Sequence, residues 1–248
     1  MVFETRGDIQ KNKIKKLLTL YKMTNINTPN KLYLSIGENC LTDGILKRHN
    51  FKGFSTIYSH CRSNMDYVIS LEKTSYASLL DINELEYSYV GETKVVRHKK
   101  INEADMIYSS MHTKGFEFTH HDVISNEIHR DSFLRKIQRL KDIKGKKDIC
   151  FFYHYRLDKN NDVKSLLDKA ENFIKFYSIN GASIQLIIFT QEIIGEDKSR
   201  ELIHHSYNEE IEFFTFKTRA VWGGNDPNLL WAKTDDDLIK EMLLKVTE

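Results

Sequence analysis

Lys31-Leu-Tyr-Leu-Ser-Ile-Gly-Glu-Asn-Cys40, followed by Leu41-Thr-Asp-Gly-Ile-Leu-Lys-Arg48, decides the fold. An apolar run of strand length meets a turn built on Gly37, and a helical spacing of apolar residues begins directly after it. A strand, a tight turn and a helix place the last turn residue, Cys40, at the carboxyl end of the strand. It sits there beside the free N–H groups of the helix. Those groups and the helix dipole favour a thiolate over a thiol. Gly37 supplies backbone freedom in the turn, and Asn39 serves either as helix cap or as an oxyanion donor. In an open α/β sheet this is the position of a nucleophile.

The remaining pattern extends the same architecture. Apolar runs at 148–155, 183–190 and 212–217 read as strands, the first two as buried ones. Helical periodicity marks 66–80, 127–143, 163–177 and 235–246, with shorter strands at 86–90 and 94–97. Phe116-Glu-Phe-Thr-His-His-Asp122 alternates like a strand that stops at a polar tip. Strands alternating with helices predict an α/β fold with a largely parallel sheet flanked by helices. Residues 8–23 read as a basic amphipathic helix and 24–30 as a linker. The organisation expected is therefore an N-terminal segment 1–30 and one α/β catalytic-type domain over 31–248.

The chain of 248 residues carries 37 basic and 35 acidic side chains, a formal net charge of +2. That balance argues against a nucleic-acid partner. No apolar run reaches the ~18–20 residues that span a bilayer, and the first residues lack the layout of a secretory signal. The expected location is the cytoplasm, with peripheral association through the basic helix 8–23 as an option. Cys40, Cys61 and Cys150 are too widely spaced for a disulfide framework or a zinc pattern. Cys150, inside Ile149-Cys-Phe-Phe-Tyr153, reads as a core residue, and no metal site is expected.

A cysteine nucleophile needs a base. Among ten histidines the tandem His120-His121 stands out, because it ends a predicted strand as Cys40 does and both would open on one rim of a parallel sheet. Asp122, adjacent in sequence, and Asp66, at a predicted helix start, are candidates to orient the imidazole. Asp66 reads equally as a helix N-cap. His204-His205 repeats the tandem at what reads as a polar helix end. Arg62, His154 and Arg156 are candidates for holding an anionic substrate, and Trp222-Gly-Gly-Asn-Asp-Pro227 for a lid or sugar-stacking loop with Trp222 exposed.

Ser35-Ile-Gly-Glu-Asn-Cys40, Leu46-Lys-Arg48, Asn64-Met-Asp-Tyr67, Phe118-Thr-His-His-Asp122 and Arg135-Lys-Ile-Gln-Arg139 resemble, in this order, the motifs of a bacterial family of papain-like cysteine peptidases of unknown function, with only Asp66 kept of its Pro-Phe-Asp-Trp, and the resemblance spans roughly 31–195. A further tail resemblance lies at Trp222-Gly-Gly and Trp231. The resemblance implies Cys40 as nucleophile and His120 or His121 as base. The Gly-x-Asn-Cys turn also resembles the Gly-Asn-Cys motif of capsular polysaccharide O-acetyltransferases and occupies the place of the nucleophile in SGNH-type esterases. All three chemistries need a nucleophile, a base and an oxyanion hole, here Gly37 and Asn39 with the Cys40 N–H. The reading placed first is a thiol-dependent acyltransferase that moves acetyl from acetyl-CoA, a co-substrate, to a hydroxyl of a surface polysaccharide or a sugar-nucleotide precursor. A cysteine peptidase or thiol hydrolase comes second. A binding protein with a structural Cys40 comes third.

Overall fold

Alternating apolar residues build a sheet with two buried faces. In the computed structural model, which describes residues 31–99, 116–156 and 162–247, a five-stranded sheet is ordered β1 (Lys31–Gly37), β5 (Asp148–His154), β6 (Ile184–Ile193), β8 (Ile211–Thr218) and β7 (Glu201–Ser206). The first four strands run parallel, and β7 closes one edge antiparallel to β8. Successive strand residues face opposite sides. Leu34, Ile36, Phe151, Tyr153, Leu186 and Ile188 therefore join one core, while Tyr33, Cys150, Phe152, Ile187 and Phe189 join the other. Because both faces are covered, these strands read as continuous apolar runs.

Helices complete each layer. On the first face lie α2 (Met65–Lys73), α3 (Glu127–Ile143) and α4 (Val163–Ile174), contributing Val68, Phe133, Ile137 and Phe173. On the second lie α1 (Cys40–Arg48) and α6 (Asp236–Thr247), contributing Leu41, Ile45, Ile239 and Met242. A short helix, α5 (Pro227–Leu230), precedes α6. The expected mixed α/β fold with a mostly parallel sheet is the observed one, and Cys150 is wholly buried as expected. No helix among the described residues is long and apolar enough to cross a membrane. The segment 1–30, with the expected basic helix 8–23, lies outside the described residues.

A second sheet carries the histidine tandem. It is antiparallel, ordered β2 (Leu85–Val90), β3 (Thr93–His98) and β4 (Glu117–Phe118). The strand expected over 116–122 shrinks to these two residues, and it does not join the parallel sheet. The chain turns after Phe118, where the N–H of His121 donates to the Phe118 carbonyl. A backbone ladder nevertheless ties β4 to the end of β1. Ser63 N–H donates to the Glu38 carbonyl at 2.9 Å, and Arg62 and Glu117 exchange N–H···O bonds of 2.9 and 3.0 Å.

Four local expectations change. α2 ends at Lys73 rather than near Leu80, since Ser75 and Tyr76 adopt positive φ and cannot continue a helix. α4 stops at Ile174, short of Tyr177. His204 and His205 lie on the edge strand β7, not at a helix end, where one sheet face is solvated and tolerates polar residues. His204 stacks on Phe214 and pairs with Glu212. Trp222 is not exposed but fully buried among Phe189 and Phe216. Its indole N–H donates to Asp235 at 2.8 Å, which satisfies the polar edge of the ring in an apolar core.

Trp222 is thus a packing anchor for the second core. Trp222→Ala is expected to lower the unfolding free energy by about 3–5 kcal/mol, measured as the urea midpoint at constant slope.

Candidate active site

Cys40 is the first residue of α1. Asn39, in extended conformation, caps the helix by accepting the Leu41 N–H at 3.0 Å on its side-chain oxygen. The turn before it is held closely. Gly37 has φ of 138°, and a β-carbon there would stand 2.8 Å from Ser63 Oγ and 3.3 Å from the Tyr153 ring. The Gly37 carbonyl accepts from Thr42 Oγ1 at 2.9 Å. Gly37 lines neither cavity at Cys40, so what the geometry gives it is a steric role.

Glu38, which the sequence reading passed over, has no exposed surface. Its carboxylate accepts from Tyr153 Oη at 3.0 Å and from the Arg156 N–H at 3.3 Å. The Arg156 guanidinium is drawn to the same carboxylate and also donates to the Trp222 carbonyl at 3.3 Å. The carboxyl end of β5 is thereby fastened to the Cys40 turn.

Two cavities meet at Cys40. One, of about 350 Å³, is lined by Asn39, Cys40, His60, Cys61, Arg62, Thr119, His120, Arg156, Gly223, Gly224, Leu230 and Trp231. The other, of about 640 Å³, shares Cys40, His60 and Trp231 and adds Asp43, Gly44, Lys47, Arg48 and Lys233. Trp231 lies so close to Gly44 that a β-carbon there would sit 2.9 Å from its ring. The aromatic wall expected of Trp222 is supplied by Trp231.

His60 is the second residue the sequence reading missed. It is half-buried in the segment 51–66, which has no periodicity to mark it, and it lines both cavities. Burial lowers its affinity for a proton, while Asp43 opposes that and Lys136, Lys52 and His120 reinforce it. Asp43 itself is buried, with Oδ2 on Lys52 at 2.7 Å and Oδ1 without a partner. Among the described residues no hydrogen bond joins the Cys40 sulfur to a histidine.

The predicted partners divide. His120 reaches the smaller Cys40 cavity. His121 lines neither Cys40 cavity and packs instead against His129 (5.1 Å between ring centres), Phe133 (5.2 Å) and His60 (6.2 Å). Burial, then Lys136 and the neighbouring histidines, push its pKa down from 6.5 to about 4. Asp122 orients no imidazole through its carboxylate. Its oxygens accept from the N–H groups of Ile124 and Ser125 and from the hydroxyls of Ser125 and Tyr87. Asp66 is not the N-cap of α2, a role held by Asn64, and pairs with Lys169 at 2.9 Å. Arg62 lines the smaller cavity and lies 3.5 Å from Glu117. His154 is buried against Phe189 and lines neither cavity. Among the described residues no group of three His, Cys, Asp or Glu side chains is arranged to hold a metal ion.

The thiolate expectation is corrected. Burial raises the Cys40 thiol above its ordinary pKa. Its own backbone N–H, Arg62 and Arg156 pull the other way, and Asp43 adds to the rise. The helix terminus offsets desolvation without overcoming it. Cys40 therefore rests as a thiol. Its alkylation by iodoacetamide is expected to reach half its maximal rate above the ~8.5 of a free thiol, and an inflection near pH 6 would contradict this.

Searches of curated proteins and of solved structures return no significant match. A family model described as "Putative papain-like cysteine peptidase" matches residues 31–204, a span that contains Cys40, His60 and the His120-His121 tandem. That match covers more than half of the chain, and the chain belongs to this family.

Proposed function

We propose that the protein is a cysteine-dependent hydrolase of acyl bonds, a peptidase in the sense of its family, with Cys40 as nucleophile and His60 as base. The observation that carries the reading is that Cys40, at the head of α1, and His60 line the same two cavities. The reaction starts from a thiol and a neutral imidazole, because burial disfavours the charged form of each.

His60 takes the thiol proton as the sulfur attacks the substrate carbonyl, and a carbon–sulfur bond forms. The carbonyl oxygen gains the charge, and in this reading the Cys40 N–H and the Asn39 side-chain amide receive it. The imidazolium then gives its proton to the departing amine or alcohol as that bond breaks. Water, deprotonated by the same imidazole, attacks the thioester, and acid and free thiol are released. A movement of His60 toward Cys40 precedes the first transfer, as apo catalytic hydrogen bonds are commonly open. Asp43 stabilises the imidazolium electrostatically. Arg156 and Arg62 give the smaller cavity positive walls.

Acetyl transfer from acetyl-CoA to a polysaccharide, the reading placed first from the sequence, finds no support in the family match. The hydrolase alternative takes its place, since the family description names a peptidase. His120 is the competing base, and His121, outside the Cys40 cavities, is not.

Kinetics separate these roles. In hydrolysis of p-nitrophenyl acetate and of fluorogenic peptide amides, Cys40→Ala is expected to lower kcat/KM by about 10⁴-fold or more. His60→Ala should cost about 10²–10⁴-fold, and His121→Phe less than about tenfold, since no proton passes through it. Equal losses at His120 and none at His60 would move the base to His120.

A further inference from the structure

Behind Thr119 and His120, which also wall the Cys40 cavity, lies a third cavity of about 290 Å³. Its chemistry is one-sided. Lys94 brings an ammonium to it, 3.4 Å from the Tyr87 ring centre, and His120, His121 and His129 bring three imidazoles. The tautomer of His129 is determined. Its Nδ1 accepts the Asp122 N–H at 3.0 Å, so the proton of the neutral ring is on Nε2, which has no partner among the described residues. His121 Nδ1 is buried and likewise has no partner.

The one carboxylate in the lining among the described residues, Asp122, already accepts four donors, two backbone N–H groups and two hydroxyls. Behind the histidines, Lys136 is 5% exposed and rests on the Phe133 ring, 4.3 Å from its centre, with no carboxylate partner among the described residues. Buried positive charge of this kind is costly unless an anion balances it.

We infer that this cavity is an anion subsite that receives a carboxylate or phosphate group of the substrate, with Lys94 and His129 as its principal donors. This rests on the hydrolase reading, and it makes the substrate an acidic or phosphorylated acyl compound. Two donors of different geometry, an ammonium and a ring N–H, suit an oxyanion that accepts from several directions. Thr119 and His120 wall both this cavity and the Cys40 cavity, so that the anion would sit beside the reacting end of the substrate.

The test uses the full chain carrying Cys40→Ala, which turns nothing over. Its imidazole resonances are followed by NMR while inorganic phosphate, or separately the amide of N-acetyl-glutamate, is added. Saturable shifts at His121 and His129 are expected. In the exposed variant Lys94→Gln, and in His129→Gln, the affinity should fall about tenfold or more, the loss of one charge-assisted hydrogen bond. Saturation by phosphate alone identifies a phosphate ester, and saturation by the glutamyl amide alone a carboxylate. Absence of saturable shifts with both anions, or unchanged affinity in both variants, overturns the subsite. Anion binding by a protein whose unmodified form hydrolyses nothing keeps the subsite and overturns the hydrolase. Hydrolysis with no anion binding does the reverse.

Discussion

Glu38 is a carboxylate with no access to water, sited between the glycine that turns the chain and the asparagine that caps α1. Buried without donors such a group is costly by several kcal/mol. Here Tyr153 Oη and the Arg156 N–H supply donors from the end of β5, and the Arg156 guanidinium supplies opposite charge. The Glu38 carbonyl meanwhile receives the Ser63 N–H, and from Arg62 the ladder passes to Glu117 in the second sheet. One residue therefore ties the Cys40 turn to its neighbouring parallel strand through its side chain and to the histidine-bearing sheet through its backbone. Removing one partner would leave an uncompensated buried charge, so the turn has little freedom to relax. Gly37 tightens the same junction, since Ser63 and Tyr153 occupy the space a side chain would need.

Electrostatics around Cys40 choose between two forms of thiol chemistry. A preformed thiolate–imidazolium pair needs a desolvation cost smaller than the stabilisation from the helix terminus and nearby cations. At Cys40 desolvation is the larger, and Asp43 adds to it. The site consequently resembles a hydroxyl nucleophile with a general base more than a resting ion pair. Under the proposed hydrolysis, Arg62 and Arg156 would serve the developing negative charge of substrate and sulfur rather than a standing one. Asp43 disfavours a lone thiolate but stabilises the His60 imidazolium that forms with it. In the proposed mechanism its net effect would be to couple the proton transfer to the attack.

Local pattern carried the fold because both sides of the sheet are covered. Residues 149–153 and 186–189 are apolar without a break, and 31–48 contains the strand, the turn and the helix in one stretch. The position of Cys40 followed from that junction alone. Its neighbours did not, since they arrive through long-range placement. His60 sits in a segment with no periodicity, and long-range bonds such as the ladder from Glu38 to Ser63 and Arg62 to Glu117 set it on the cavity that Cys40 lines. Glu38 carries no local signal, because its partners, Tyr153 and Arg156, are more than a hundred positions away. The histidine tandem stands out in the sequence, but a two-residue β4 and the turn after it send His121 toward His129 and Phe133. Trp222 and Trp231 share one short Gly-rich region, and composition does not distinguish the buried ring from the cavity wall.

The account depends most on an acyl group being carried by Cys40 with a proton passing through His60. Intact-protein mass spectrometry of the quenched reaction with p-nitrophenyl acetate reads this directly. The account predicts a single acetyl adduct that maps to Cys40, forms at least about a hundredfold more slowly in His60→Ala, and is absent in Cys40→Ala. An adduct on another residue, or one that forms on Cys40 at the same rate without His60, would contradict it.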